Sequence, residues 1–168
     1  MKAAILVEDN FQELELWYPY YRLAEEGITV DIVGPEKGKT YKSKLGYAAT
    51  SRHSAANVDV TEYAAIVIPG GYAPDRMRTH VAMVNLVKSA FNDGKIIAAI
   101  CHAAWMLCSA DILSGKTATC YHAIRDDVKH AGANYVDKSV VVDGNLITSR
   151  QPDDLPDFCK AIIAALRA

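Results

Sequence analysis

Apolar positions along this chain follow two rhythms. Short continuous runs at Lys2–Val7, Thr29–Val33, Ala64–Ile68 and Lys95–Ile100 are too brief for helices and predict strands buried on both faces. Between them apolar residues recur at helical spacing. Leu14, Tyr18 and Tyr21, together with Leu16, Tyr20 and Leu23, predict a helix over Phe11–Glu26, and Val84, Val87 and Phe91 predict another over Val81–Asn92. Gly27 and Gly94 supply the stops. Further on, Lys116–Cys120 reads as a strand, a helix ends near Gly132, and Ser139–Thr148 reads as a hairpin turning at Asp143-Gly144. A last helix carries Leu155, Phe158, Ile162 and Leu166 inward. Thr40–Val60 is polar and lacks helical period, which suits a small excursion of strands or loop.

Strands alternating with helices predict a mostly parallel sheet covered on both faces, a three-layer α/β/α sandwich of class α/β. No repeat, linker or low-complexity tract interrupts residues 1–168, so one domain is expected. Two strands finish in breakers, at Gly34-Pro35 and at Pro69-Gly70-Gly71. Such carboxyl ends are where open α/β sheets place ligands.

Charge narrows the partners. Lys and Arg number 18 against 20 Asp and Glu, a net charge of −2, and no segment gathers the basic cluster that nucleic acid or anionic lipid requires. The first apolar stretch stops at Val7 before two acids, too short for a signal or a membrane span, so a cytoplasmic protein without membrane attachment is expected. Cys101, Cys108, Cys120 and Cys159 form no CxxC pair, which suits reduced thiols. Cys120 and His122 alone fall short of the four ligands zinc expects; neither metal nor cofactor is predicted.

One thiol stands apart. In Ala99-Ile100-Cys101-His102-Ala103 the cysteine follows a strand and precedes a helix, a nucleophile-elbow arrangement whose strained backbone needs small residues two places to either side. Ala99 and Ala103 meet that need. Unpaired N–H groups at the turn are expected to favour the thiolate. Packing is the ordinary role of a buried free cysteine, and it is the role assigned to Cys108, Cys120 and Cys159. Oxyanion donors are expected from Gly70 and Gly71, where missing side chains expose N–H groups. Glu13 and Glu15 are the acids placed to tune the thiol, although an acid in a first helical turn commonly serves only the helix dipole.

Taken in order, Glu15, Pro69-Gly70-Gly71, Ile100-Cys101-His102 and the run from Val140 to Arg150 resemble the PfpI-type intracellular protease family of the ThiJ/PfpI superfamily, which includes the Parkinson-associated protein deglycase. The likeness runs almost end to end, through "ELELWYPYYRL", "PGGYAPDRMR", "AICH" and "IRDDVKHAGANYVD". It implies a flavodoxin-like sandwich related to class I glutamine amidotransferase domains, with the reactive cysteine at Cys101. It further implies that Glu15 hydrogen-bonds the thiol, that Gly71 and the Cys101/His102 backbone form an anion pocket, and that His102 is the base. A carboxylate from a neighbouring subunit completes a Cys-His-Glu arrangement in such proteins; the matching Asp75 is one methylene shorter, retracted by about 1.5 Å. A homo-oligomer, a dimer or dimer-based hexamer, is therefore implied. The family's Cys-His-Gly-Pro run is altered here to Cys101-His102-Ala103-Ala104. Tyr121 matches a tyrosine bordering the cleft, and His122, standing where proline is common, is a candidate substrate contact.

The resemblance implies a cysteine-dependent stress enzyme acting on reactive carbonyls, of glutathione-independent glyoxalase or protein deglycase type. An intracellular cysteine peptidase acting on peptides is the alternative. A thiol redox sensor or chaperone-like protein is the alternative of another class, because the same thiol could be oxidised to a sulfinate held by Glu15 and nearby N–H groups. Because neighbours on a turn point apart, Cys101 and Glu15 are expected to matter more than His102.

Overall fold

A computed structural model describes residues 1–168. In chain order it contains β1 (Lys2–Leu6), α1 (Glu13–Glu25), β2 (Thr29–Gly34), β3 (Thr40–Lys42), β4 (Ala48–Thr50), β5 (His53–Ser54), β6 (Ala65–Ile68), α2 (Ala73–Met77) and α3 (Val81–Asn92). The second half contains β7 (Ile96–Ile100), α4 (Ala104–Ser109), β8 (Thr117–Ala118), α5 (Arg125–His130), β9 (Asn134–Tyr135), β10 (Val140–Asp143), β11 (Leu146–Ser149) and α6 (Leu155–Arg167).

Seven strands form the central sheet in the order β10-β11-β7-β6-β1-β2-β5. Only the β10–β11 pair is antiparallel. The continuous apolar runs occupy the middle: β6 is buried along its whole length, and in β7 only Ile96 is partly exposed. Helices α1 and α6 pack against each other, and α6 also covers β7 and β11; α3 covers β6 and β7 and contacts α4. Apolar cover on both faces is what lets such strands run without polar alternation.

Two expectations need correction. In α1 the stripe facing the sheet is Leu16 and Leu23 with Glu15 and Pro19, whereas Leu14, Tyr18 and Tyr21 are exposed. Both stripes are apolar, so periodicity finds the helix without telling which side faces inward. The strand expected over Lys116–Cys120 shortens to β8, which pairs with β9 in a separate two-stranded sheet. Side chains take over the role of a ladder there: the Asp143 carboxylate accepts the Thr117 N–H at 2.7 Å and the Thr148 hydroxyl accepts the Thr119 N–H at 2.9 Å. The polar excursion resolves into the β3–β4 hairpin, β5 and a turn at Val60–Glu62.

Parallel strands β1, β6 and β7 bring three carboxyl ends side by side. The chain leaves them at Val7, Pro69 and Cys101, and everything that follows is built on that edge.

Candidate active site

Cys101 lies where β7 ends and a single 3-10 turn, Cys101–Ala103, leads into α4. Its φ is 63°, the left-handed region that non-glycine residues rarely occupy, so the elbow expected from Ala99 and Ala103 is present as backbone strain. Ala99 and Ala103 are buried beside it. The surrounding packing holds the sulfur at the edge of a cavity of about 390 Å³, lined also by Glu15, Gly71, His102 and Tyr121. A volume of that order suits a small molecule.

Glu15 reaches the same point from the first turn of α1. The helix start is fixed by Gln12, whose side-chain oxygen accepts the Glu15 N–H at 3.0 Å. The Glu15 side chain is fully buried, a costly position for a charge unless it is compensated. Its Oε2 accepts the Gly70 N–H at 2.7 Å. Its Oε1 is sealed from solvent without an oriented hydrogen bond. Burial drives the Glu15 carboxyl up to about 7, opposed by the Gly70 N–H, the neighbouring Cys101 thiol and Lys44.

The glycines have distinct duties. A Cβ on Gly70 would sit 2.6 Å from Glu15 Oε2 and 2.7 Å from Cys101 Cβ. Gly70 is therefore the spacer that lets the acid and the thiol meet, and, against the expectation of an oxyanion donor at Gly70, its N–H is spent on the acid. Gly71 has φ 77°, and a Cβ there would strike Asn10 O at 2.6 Å. Its N–H and that of His102 bear on the Cys101 sulfur and lower the thiol's pKa. They are outweighed. Burial first, and the Glu15 charge second, push the Cys101 thiol up to about 12, so the expected thiolate bias from the turn does not prevail.

His102 does not point away from its neighbour. Its Nδ1 lies 3.3 Å from Cys101 Sγ, and its ring packs against Tyr121, with centroids 4.9 Å apart, and edge-on to Trp105. Burial lowers its pKa, helped by the charges of Lys44 and His122. The imidazole is thus biased toward the neutral form able to accept a proton. Tyr121 lines the cavity and donates its N–H to the Cys101 carbonyl at 3.2 Å. His122 is exposed, stacks on the outer side of Tyr121 and does not line the cavity. Asp75 is exposed on α2, also outside the cavity. Glu13 does not face the thiol: its carboxylate accepts the Leu45 N–H at 2.6 Å and so clamps the β3–β4 hairpin.

Four lining residues escaped sequence reasoning: Gln12, Lys44, Tyr72 and Pro152. Lys44 arrives from the polar excursion and Pro152 from the turn after β11, so neither carried a local signal. Gln12 could have been found as a helix N-cap and Tyr72 as the neighbour of the paired glycines. No cluster of three or more potential ligands could hold a metal ion. No helix is long and apolar enough to cross a membrane.

Comparison with known proteins places this geometry in context. The family described as the DJ-1/PfpI family matches residues 1–165. The chain is 42% identical over 167 residues to Deglycase TK1284 of Thermococcus kodakarensis, covering 99% of this chain and 100% of that protein. It is 40% identical over 167 residues to Deglycase PfpI of Pyrococcus furiosus, with the same coverage. A solved two-domain protein of Anabaena variabilis, containing DJ-1/ThiJ/PfpI-like and ferritin-like domains, superposes with a TM-score of 0.97 at 41% identity. That match covers 99% of this chain and 50% of the Anabaena chain.

Proposed function

The chain belongs to the DJ-1/PfpI family, and from that premise we propose that it is a cysteine-dependent enzyme acting on small reactive carbonyl compounds and their early adducts, of glyoxalase or deglycase type. The observation carrying this proposal is the strained Cys101 at the edge of a small-molecule cavity, beside a carboxyl whose pKa of about 7 lets it take or return a proton near neutrality. Fully ionised, Glu15 suppresses the thiolate; protonated, it removes that penalty and leaves the Gly71 and His102 N–H groups to stabilise sulfur.

With methylglyoxal as substrate, Cys101 Sγ forms a bond to the aldehyde carbon while its proton passes to Glu15, which returns one to the new alkoxide. The neutral His102, 3.3 Å from the sulfur, removes the hydrogen from that carbon as a proton and delivers one to the former ketone carbon, while the hydroxyl proton on the first carbon passes to the ketone oxygen. The first carbon is left as a thioester. Water cleaves it to lactate and the free thiol, so the reaction adds one water and needs no external oxidant or reductant.

The cavity volume favours a small carbonyl over an extended peptide, yet the contact between sulfur and imidazole keeps peptidase chemistry as the second reading. Asp75, exposed on α2, would orient His102 only across a subunit interface, and a Cys101-dependent monomer active without it would remove that role. The test is incubation with methylglyoxal, and separately with a fluorogenic peptide, beside a Cys101→Ser variant. Cys101-dependent lactate formation supports the proposal. Turnover of the peptide alone transfers the site to peptidase chemistry, and turnover of neither, with selective peroxide oxidation of Cys101, transfers it to redox sensing.

A further inference from the structure

Lys44 is the one formally cationic side chain that lines the cavity by virtue of a fixed charge, and three observations separate it from an ordinary surface lysine. Its backbone is held in place: the Lys44 N–H donates to Phe11 O at 3.0 Å, the Asn10 N–H to Lys42 O at 2.7 Å, and the Leu45 N–H to Glu13 Oε1 at 2.6 Å. The β3–β4 hairpin is thereby attached to the loop that opens α1. Its ammonium lies 5.2 Å from the centroid of the Tyr72 ring, a partner that orients a cation without neutralising it. No carboxylate lies within 4.0 Å of it, although Arg22, Arg150 and Lys2 all find acids at that range.

The charge is felt inside. Lys44 lowers the pKa of both Glu15 and His102, so its field reaches the two groups that flank the thiol. Glu15 is fully buried and its Oε2 is held by the Gly70 N–H, which leaves Lys44 to set the sign at the mouth. A neutral substrate such as methylglyoxal offers such a cation carbonyl oxygens but no charge to pair with.

Building on the carbonyl function proposed above, we infer that Lys44 is a specificity-determining residue that selects carbonyl substrates carrying a carboxylate, with 2-oxoaldehydes bearing a carboxylate beyond the ketone as the preferred class. The chemistry is that of methylglyoxal. With 4,5-dioxopentanoate, sulfur bonds to the C5 aldehyde, the C5 hydrogen leaves as a proton while one is delivered to C4, the C5 hydroxyl proton passes to the C4 oxygen, and water cleaves the C5 thioester. The product is 2-hydroxyglutarate, by net addition of one water. Lys44 touches only the distal carboxylate.

The test compares 4,5-dioxopentanoate with its neutral methyl ester on the full chain, using wild type, Lys44→Met, Lys44→Glu and Lys44→Arg. Wild type should favour the acid in kcat/KM by about ten-fold, chiefly through KM, with the preference shrinking as salt is added. Lys44→Met should erase the preference, Lys44→Glu invert it, and Lys44→Arg restore most of it. Equal use of acid and ester by wild type, unchanged in Lys44→Met, overturns the inference while leaving the carbonyl function standing. A second arm does not depend on turnover: alkylation of Cys101, followed by mass spectrometry of its peptide, with anionic iodoacetate against neutral iodoacetamide. The iodoacetate-to-iodoacetamide rate ratio should fall about five-fold in Lys44→Met. An unchanged ratio overturns anion selection even if neither aldehyde is consumed, whereas a fall in that ratio without turnover supports it and defeats the carbonyl function alone.

Discussion

Three thiols in this protein are pushed up to about 12, at Cys101, Cys120 and Cys159, and only Cys101 among them lines the cavity. Cys159 sits in α6 with its side chain sunk in the core, and burial accounts for its shift. Cys120 follows β8 and is likewise raised chiefly by burial. At Cys101 burial is joined by the charge of Glu15, which protonation can switch off, and by N–H groups of Gly71 and His102 that favour the thiolate. Burial weighs permanently on all three thiols; only at Cys101 is part of the penalty one that a neighbouring proton removes, and only there do N–H groups oppose it.

The widest separation between the two regions should appear on replacing the sulfurs. Cys101→Ser should reduce carbonyl turnover by at least about 10³-fold, measured as lactate formed from methylglyoxal. Cys159→Ala should leave turnover within about two-fold while lowering stability to urea by about 1 kcal/mol, through a small core cavity. Comparable losses of turnover in both variants would break the distinction.

The next effect lies in the switch itself. Glu15 has its folded pKa raised from 4.5 to about 7, so between those values the native state holds a proton that the unfolded chain has released. Stability therefore falls as pH rises from 4.5 to 7 and is level above, by roughly 3 kcal/mol on the linkage relation. Glu15→Gln retains an acceptor for the Gly70 N–H but cannot ionise, and its urea midpoint should lack this decline. The same variant should alkylate faster at Cys101 near pH 8, since the opposing charge is gone, and yet turn over at least about 10²-fold more slowly, since the proton carrier is gone.

Smaller, and more local, is the contrast between two glycines. Gly70 lacks positive φ but has no room: a side-chain methyl would enter the space between Glu15 and Cys101. Gly27 has φ 77° and nothing within 4 Å of a built Cβ. Gly70→Ala should cost about 2 kcal/mol and also depress turnover, because the acid and thiol must part. Gly27→Ala should cost about 1 kcal/mol through backbone strain alone and leave turnover intact. Denaturant midpoints paired with initial rates separate the two.

Much of this edge was legible in sequence because its causes are local. The runs Ala65–Ile68 and Ile96–Ile100 are apolar without alternation, which only a doubly covered strand permits, and Ala99 and Ala103 declare the clearance an elbow needs. What escaped was set by distant contacts. The exposure of Leu14, Tyr18 and Tyr21 depends on which side of α1 meets the sheet, and either apolar stripe would satisfy a helical period. Lys44 enters the cavity because Phe11 O and Glu13 Oε1 capture its hairpin, a pairing across more than 30 residues that composition cannot reveal. The contact of His102 with sulfur depends on a side-chain rotamer held between Tyr121 and Trp105, which adjacency along the chain does not determine.

The smallest expected effect belongs to His122, a candidate substrate contact at a position where the family commonly has proline. Its ring is exposed, packs at 4.5 Å on the Tyr121 ring and stays outside the cavity, whereas His102 packs on the same tyrosine from within reach of the thiol. The two histidines thus share a neighbour and differ in what lies beyond it. His122 contributes to lowering the His102 pKa only as the last of three causes, after burial and Lys44. His122→Ala should change kcat/KM for methylglyoxal by less than about two-fold and move the acid limb of the pH-rate profile slightly upward, as a minor repulsion is lost. A ten-fold loss with no movement of that limb would mean that substrate extends past Tyr121, and the boundary between the cavity and the outer surface would have to be redrawn there.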